Sequence, residues 1–187
     1  MSARTLALAL LVLALPSSVA ADPDTARIGL YVVDIAQINE RENTFAIELD
    51  VISSWVDPER ATGERKVYRD GDAFEFLDSG WSPLAFITNA KAGINIHLMV
   101  TTVYPHGRVV NRARLEAIVR APLDFRDFPF DSQDLRLQVE SYAHDAEALT
   151  LVLDEDFSGF DRQFEMPEWQ VIGTEASVTT TLREQDQ

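Results

Sequence analysis

Apolar and polar residues alternate with a period of two along most of the chain. In the stretch 44–55 the apolar or small side chains occupy the odd positions and the acidic ones even positions. The same alternation recurs in the stretches 94–100, 108–119 and 134–142. Because successive side chains of a strand point to opposite faces, this period predicts antiparallel strands with one buried and one solvated face.

Turn-forming residues separate these stretches. The polar segment 39–43 follows a strand predicted at 28–38, and Pro105-His106-Gly107 predicts a hairpin. A long acidic loop, 154–168, precedes a last strand predicted at 169–182. About eight short strands at this spacing, without a long amphipathic helix pattern or an internal repeat, predict an all-β sandwich.

The N-terminus follows a different pattern. A short basic start leads into the segment 5–15, which is apolar except at its first position, and small residues follow. This pattern predicts a signal peptide over residues 1–21, cleaved after Ala20 or Ala21, because the apolar run is too short to span a bilayer. A buried N-terminal helix is the alternative. One exported domain over residues 22–187 would remain.

Composition narrows the classes of function. The chain has no cysteine and a formal net charge of −15, so it should repel nucleic acid and anionic membranes. The three histidines lie far apart, and the sequence predicts no metal centre and no cofactor. The run 154–156 with Asp161 could bind Ca²⁺ or be an ordinary solvated loop. No phosphate loop or credible catalytic triad is present, so we expect a protein that is not an enzyme.

The segment 121–135 is the most informative in the chain. It reads Ala-Pro-Leu-Asp-Phe-Arg-Asp-Phe-Pro-Phe-Asp-Ser-Gln-Asp-Leu and lies between two alternating strands. Its three phenylalanines and two prolines would expose too much apolar surface for an ordinary solvated turn. The loop therefore either folds back to cap the core or takes part in an interface.

This loop resembles the signature of the Cys-loop receptor superfamily of pentameric ligand-gated ion channels. That signature ends in Phe-Pro-Phe-Asp, here 128–131, and encloses thirteen residues between two cysteines, whose positions are occupied by Ala121 and Leu135. Prokaryotic members lack the disulfide, so the resemblance points to that branch. It extends roughly over residues 28–178. Other landmarks follow in the family's order: Trp55-Val56-Asp57, Trp81-Ser82-Pro83 with Leu84 in place of the usual acid, and Pro105-His106-Gly107.

The resemblance implies an immunoglobulin-like antiparallel β-sandwich, the extracellular ligand-binding domain of a channel, ending before its last strand and its transmembrane helices. It implies assembly of identical subunits into a homopentamer, a small molecule or protons as ligand at the subunit interfaces, and the channel's own transmembrane domain as a partner. The implied location is the extracellular or periplasmic face of a bacterial inner membrane. A soluble, ring-forming periplasmic binding protein of the same fold is the alternative.

The resemblance also assigns ligand-binding positions. One face of the family's pocket falls on Tyr142, in a segment that includes His144, and on Thr88, while the facing subunit contributes Asp50. Relatives hold ammonium ligands by the faces of aromatic rings. Because only Tyr142 is aromatic among these positions, a quaternary amine is not favoured, and Asp50 is expected to pair with a primary amine or to titrate.

The resemblance also implies a second set of positions, which couple the domain to a pore. These residues should face the membrane end of the domain, with Asp131 and Glu40 in one charge network. The coupling residues are Arg126, Phe128, Pro129, Phe130, Asp131 and Glu40.

Overall fold

The computed structural model describes the backbone of residues 4–13 and all atoms of residues 24–124, 126, 132–161 and 169–179. These residues form mainly β-strands, in agreement with the period-two pattern. The elements are β1 (Arg4–Leu13), β2 (Asp24–Asn39), β3 (Thr44–Val56), β4 (Lys66–Arg69), α1 (Asp70–Asp78), β5 (Ala85–Ile87), β6 (Asn95–Val103), β7 (Arg108–Arg120), β8 (Ser132–Ser141), β9 (Leu149–Leu153), β10 (Gly159–Phe160) and β11 (Trp169–Thr179).

The larger sheet has the strand order β10-β2-β3-β7-β6-β4, with β9 also paired to β2. The pairs from β2 to β4 along this order are antiparallel, as the sequence predicts. The pairings of β9 and β10 with β2 are parallel. The predicted β-sandwich is thus confirmed, with parallel pairs at one edge of the larger sheet.

The smaller sheet has the order β11-β1-β8-β5. Strand β1 lies between β8 and β11 and is parallel to both. This strand falls within the predicted signal peptide, and cleavage of that peptide would leave the edges of β8 and β11 that pair with β1 without a partner strand. The leader over residues 1–21 and the domain over residues 22–187 remain predictions, which the N-terminal sequence of the exported protein would test.

The core lies between the two sheets. Inward-facing residues of β3, including Phe45, Ile47 and Leu49, and the alternate residues of β8 are almost fully buried. Ala121 and Leu135, at the family's cysteine positions, belong to the same buried cluster. Apolar burial therefore stabilises the region that a disulfide closes in the family that the sequence resembles.

The second half of β3 departs from the expected alternation. Positions 49–55 are buried without interruption, although the even ones were expected to be solvated. Strand β3 is central in the larger sheet, and side chains of β7 cover its outer face. A central strand covered in this way buries polar residues that hydrogen-bond their neighbours.

Helix α1 packs against β4 and β6. Ala73 is fully buried, and Phe76 stacks on Tyr68 with ring centroids 4.6 Å apart. The carboxylate of Asp70 accepts a hydrogen bond from the Met99 amide at 3.2 Å. Among the described residues, no helix has the length and apolar character needed to cross a bilayer.

Candidate functional site

An aromatic pair lies at the surface where β5 meets the end of β8. Tyr142 is 87% exposed, and its ring forms a T-shaped contact with Phe86 at a centroid distance of 6.3 Å. The Tyr142 amide donates to the Leu84 carbonyl at 3.1 Å, which fixes the backbone beneath the ring. Large apolar rings left exposed on a folded domain mark interaction surfaces.

Sequence reasoning missed Phe86 and selected Thr88 instead. The Thr88 side chain is exposed and lies 3.3 Å from a carboxylate oxygen of Glu140, so it is near the aromatic pair without being part of it. Phe86 lies opposite Glu140 in the β5–β8 pair. Phe86 and Thr88 are two positions apart, so their side chains point to the same face. The period-two rule could therefore have identified Phe86 from Thr88.

His144 is half-buried and packs against the segment that precedes β5. Its ring stacks on Trp81 at a centroid distance of 5.2 Å, and Nε2 is 2.9 Å from the Ser82 carbonyl oxygen. Because a carbonyl can only accept, Nε2 must carry the proton. Ser141 Oγ also donates to the Pro83 carbonyl at 2.8 Å. Through these contacts, His144 and Ser141 hold the segment 82–83 against the end of β8.

We expect His144→Phe to lower the free energy of unfolding by about 1 kcal/mol, because the ring keeps its stacking partner but loses one hydrogen bond. His144→Ala should cost about 2 kcal/mol, since it removes both contacts. Urea unfolding measures the two differences. Equal stability of His144→Phe and the unaltered chain would contradict this stabilising role of His144.

The second candidate surface lies on the outer face of the larger sheet. Asp50 is 1% exposed, and both of its carboxylate oxygens accept from Arg114, at 3.0 and 2.9 Å, while Arg112 contacts the same carboxylate. Asp50 lies directly opposite Arg114 in the β3–β7 register. Such a two-pronged arginine–carboxylate contact is strong and fixes the geometry of both groups.

Burial of Asp50 disfavours its ionised form, and this is the largest single influence on its pKa. Hydrogen bonds from Arg114 and Arg112, together with their positive charges, outweigh burial and lower the pKa from its ordinary value of 3.8. Asp50 is therefore ionised at neutral pH and already paired. This geometry leaves little room for the predicted contact with a primary amine, and it favours a role in positioning the two arginines.

A groove of about 730 Å³ lies in front of this cluster. Arg112 and Arg114 form one side of the groove, and Tyr31, Asp156 and Phe157 also line it. The Arg112 side chain is 54% exposed, so donors that do not contact Asp50 face the groove. The groove therefore presents guanidinium donors, a carboxylate and aromatic rings to a single small ligand.

The two segments assigned to coupling meet at one end of the sandwich. The Ala121 amide donates to the Asn43 carbonyl at 2.9 Å, and the Leu123 amide reaches Asn43 Oδ1 at 3.4 Å. Asn43 has a φ of 52°, a left-handed conformation that asparagine tolerates in tight turns. The turn that contains Glu40 is thus bonded to the start of the 121–135 loop.

The described part of that loop contains one exposed ion pair. Arg126 Nε lies 2.8 and 2.9 Å from the two carboxylate oxygens of Asp124, and the hydrogen bonds from Arg126 lower the pKa of Asp124. Phe128, Pro129, Phe130 and Asp131 lie outside the described residues. Their roles in coupling, and the network between Asp131 and Glu40, therefore remain predictions.

Comparison with known proteins identifies relatives of this chain. The chain is 25% identical over 162 residues to a proton-gated ion channel of Gloeobacter violaceus, which covers 83% of this chain and 43% of the relative. It is 26% identical over 170 residues to the serotonin-gated chloride channel mod-1 of Caenorhabditis elegans, covering 87% and 35% respectively. A pH-sensitive chloride channel 2 of Drosophila melanogaster is 31% identical over 99 residues, 50% of this chain and 19% of the relative.

The chain thus spans less than half the length of these relatives. The family model described as the neurotransmitter-gated ion-channel ligand-binding domain matches residues 12–187, nearly the whole chain. The relatives are ion channels, not enzymes, in agreement with the sequence prediction. The β-sandwich and its landmark motifs agree with this match, and the chain belongs to the ligand-binding domain family of the neurotransmitter-gated ion channels.

Proposed function

We propose that this chain is the extracellular ligand-binding domain of a bacterial pentameric channel and binds a small zwitterionic ligand between identical subunits. The groove beside Arg112 would receive the ligand's carboxylate, and the surface with Tyr142 and Phe86 would cover it from the neighbouring subunit. Ligand binding would then bias two arrangements of the ring, and the loop 121–135 with the turn at Asn43 would transmit that bias to a pore.

The observation that carries this proposal is the position of Arg112. Its guanidinium is anchored by Asp50, and its side chain is about half exposed in a groove that Asp156 also lines. A carboxylate can bind an anchored guanidinium through two hydrogen bonds, while an ammonium group can pair with Asp156. The chain carries a net charge of −15, which disfavours a purely anionic ligand but not one with no net charge.

The charges at this groove do not favour gating by protons alone. The lowered pKa of Asp50 keeps it ionised through the neutral range, so it does not change charge there. One relative is named as proton-gated and another as serotonin-gated, and the identity of the ligand therefore has to come from this chain's own residues.

Three matched compounds test the proposal by titration calorimetry: β-alanine, propylamine and propionate. The zwitterion should bind at least about tenfold more tightly than either single-charge compound, because only it satisfies both ends of the groove. Arg112→Gln should abolish that preference while the Asp50–Arg114 contact maintains the fold. Arg120→Gln, at the far end of β7, is the control and should leave binding unchanged. Equal or absent binding of the three compounds would refute the proposal.

A further inference from the structure

A cavity of about 410 Å³ lies inside the sandwich, beneath helix α1 and the segment that contains β5. Its walls are mostly apolar. They include Val51, Leu77, Ile87 and Met99. Phe86 also lines the cavity and is 46% exposed, so the cavity reaches the surface beside this ring.

Two polar atoms of the cavity-lining residues lack a hydrogen-bond partner among the described residues: Nε1 of Trp55 and Oγ of Ser82. Each residue is only 4% exposed. A buried group of this kind costs about 1–3 kcal/mol when it is left unsatisfied, and a buried indole N–H normally has a partner. The cavity therefore combines apolar walls with unused hydrogen-bonding capacity.

Neighbouring contacts hold both residues in position. The Trp55 and Trp81 rings form a T-shaped contact with centroids 6.1 Å apart, and the Ser82 backbone carbonyl accepts a hydrogen bond from His144 Nε2. Neither contact gives Trp55 Nε1 or Ser82 Oγ a hydrogen-bond partner among the described residues. The groups are thus preorganised, which reduces the entropy lost when a ligand binds them.

We propose that the cavity is a binding site for a small, uncharged, largely apolar molecule with one oxygen atom. The oxygen would accept a hydrogen bond from Trp55 Nε1 and exchange one with Ser82 Oγ, while the hydrocarbon part fills the apolar walls. The volume lies within the range of small-molecule sites. A charged group would be excluded, because burial in such walls carries a high desolvation cost.

The site is distinct from the outer groove but shares residues with the aromatic surface. Phe86 and Leu84 line the cavity, while the ring of Phe86 contacts Tyr142 and the carbonyl of Leu84 accepts from the Tyr142 amide. An occupant therefore contacts from inside the same segment that forms the candidate ligand surface outside. The proposal does not depend on which ligand, if any, the groove binds.

The test uses the full chain with ¹⁵N-labelled tryptophan and cyclohexanol as the probe. Saturating cyclohexanol should shift the indole N–H resonance of Trp55, assigned with Trp55→Phe, while that of Trp169 stays in place. Cyclohexylammonium, of matched size but charged, should not shift it. A resonance of Trp55 that does not move with cyclohexanol would overturn the proposal.

Two kinds of variant test separately the hydrogen bond from Ser82 and the empty volume of the cavity. Ser82→Ala should weaken cyclohexanol binding about five- to tenfold, the effect of one hydrogen bond. Ala113→Leu should prevent binding by filling the cavity, and Ala85→Leu serves the same purpose if the first variant does not fold. Unchanged binding in a folded filling variant would refute the site. A crystal structure with cyclohexanol that shows no cyclohexanol oxygen within hydrogen-bond distance of Trp55 Nε1 or Ser82 Oγ would refute it as well.

Discussion

Asp50→Asn should lower the free energy of unfolding by about 2–3 kcal/mol, the largest loss we expect from any conservative change near the groove. The substitution keeps the size of a side chain that is 1% exposed but removes its charge. Arg112 and Arg114 then lose their shared partner and repel each other. Both guanidiniums are partly exposed, so water compensates for some of this loss, and the effect stays below that of a fully buried pair. Urea unfolding at neutral pH measures it.

Glu48→Gln is the matched control for Asp50→Asn. Glu48 lies 3.8 Å from Arg114, but its side chain is 30% exposed, so its removal should cost less than about 1 kcal/mol. Equal effects of the two substitutions would show that Asp50 does not organise the cluster.

The pH dependence gives a second check on Asp50. Since its folded pKa is lower than 3.8, ionised Asp50 stabilises the fold at every pH above that value. The advantage of the unaltered chain over Asp50→Asn should stay constant from neutral pH down to about pH 5, decline as the pH falls past the unfolded-state pKa near 3.8, and disappear only below the lowered folded pKa. A decline that begins near pH 6 would contradict the lowered pKa.

Local pattern was sufficient to predict the strands but not their pairing. The period of two located β3, β7 and β8 within about two residues of their observed ends. Strands β3 and β7 pair although they are separated by more than fifty residues in sequence, and local pattern does not encode that register. Because the register places Asp50 opposite Arg114, the ion cluster could not be predicted, and Asp50 was instead assigned as an available carboxylate.

Of the aromatic pair Tyr142 and Phe86, only one residue was predicted from the sequence. Tyr142 was selected through the family resemblance, and the structure places it at the surface with 87% of its area exposed. Phe86 was missed because a motif position is read along the chain, whereas its contact with Tyr142 runs across the β5–β8 pair. The interior cavity depends on the spacing of the two sheets, which no single segment determines.

Gly107→Ala should lower the free energy of unfolding by about 3–5 kcal/mol, because two unfavourable effects combine at one position. Gly107 has a φ of 87°, and an added Cβ would lie 2.3 Å from the Asp57 carbonyl oxygen. The Asp57 amide in turn donates to the Gly107 carbonyl at 2.9 Å, so the two segments cannot separate without losing this hydrogen bond. Urea unfolding measures the loss.

Gly63→Ala isolates the first of these effects. Gly63 also has a positive φ, of 74°, but an added Cβ would meet no atom within 4 Å, so we expect a cost of about 1–2 kcal/mol. If Gly107→Ala is as mild as Gly63→Ala, the contact with Asp57 is not tight. If it is much more severe, the motifs Trp55-Val56-Asp57 and Pro105-His106-Gly107, which lie fifty residues apart, form a single backbone contact. The two motifs then occur together in one sequence because they pack against each other. The resemblance of both motifs to those of the family is therefore evidence for the fold rather than for a particular ligand.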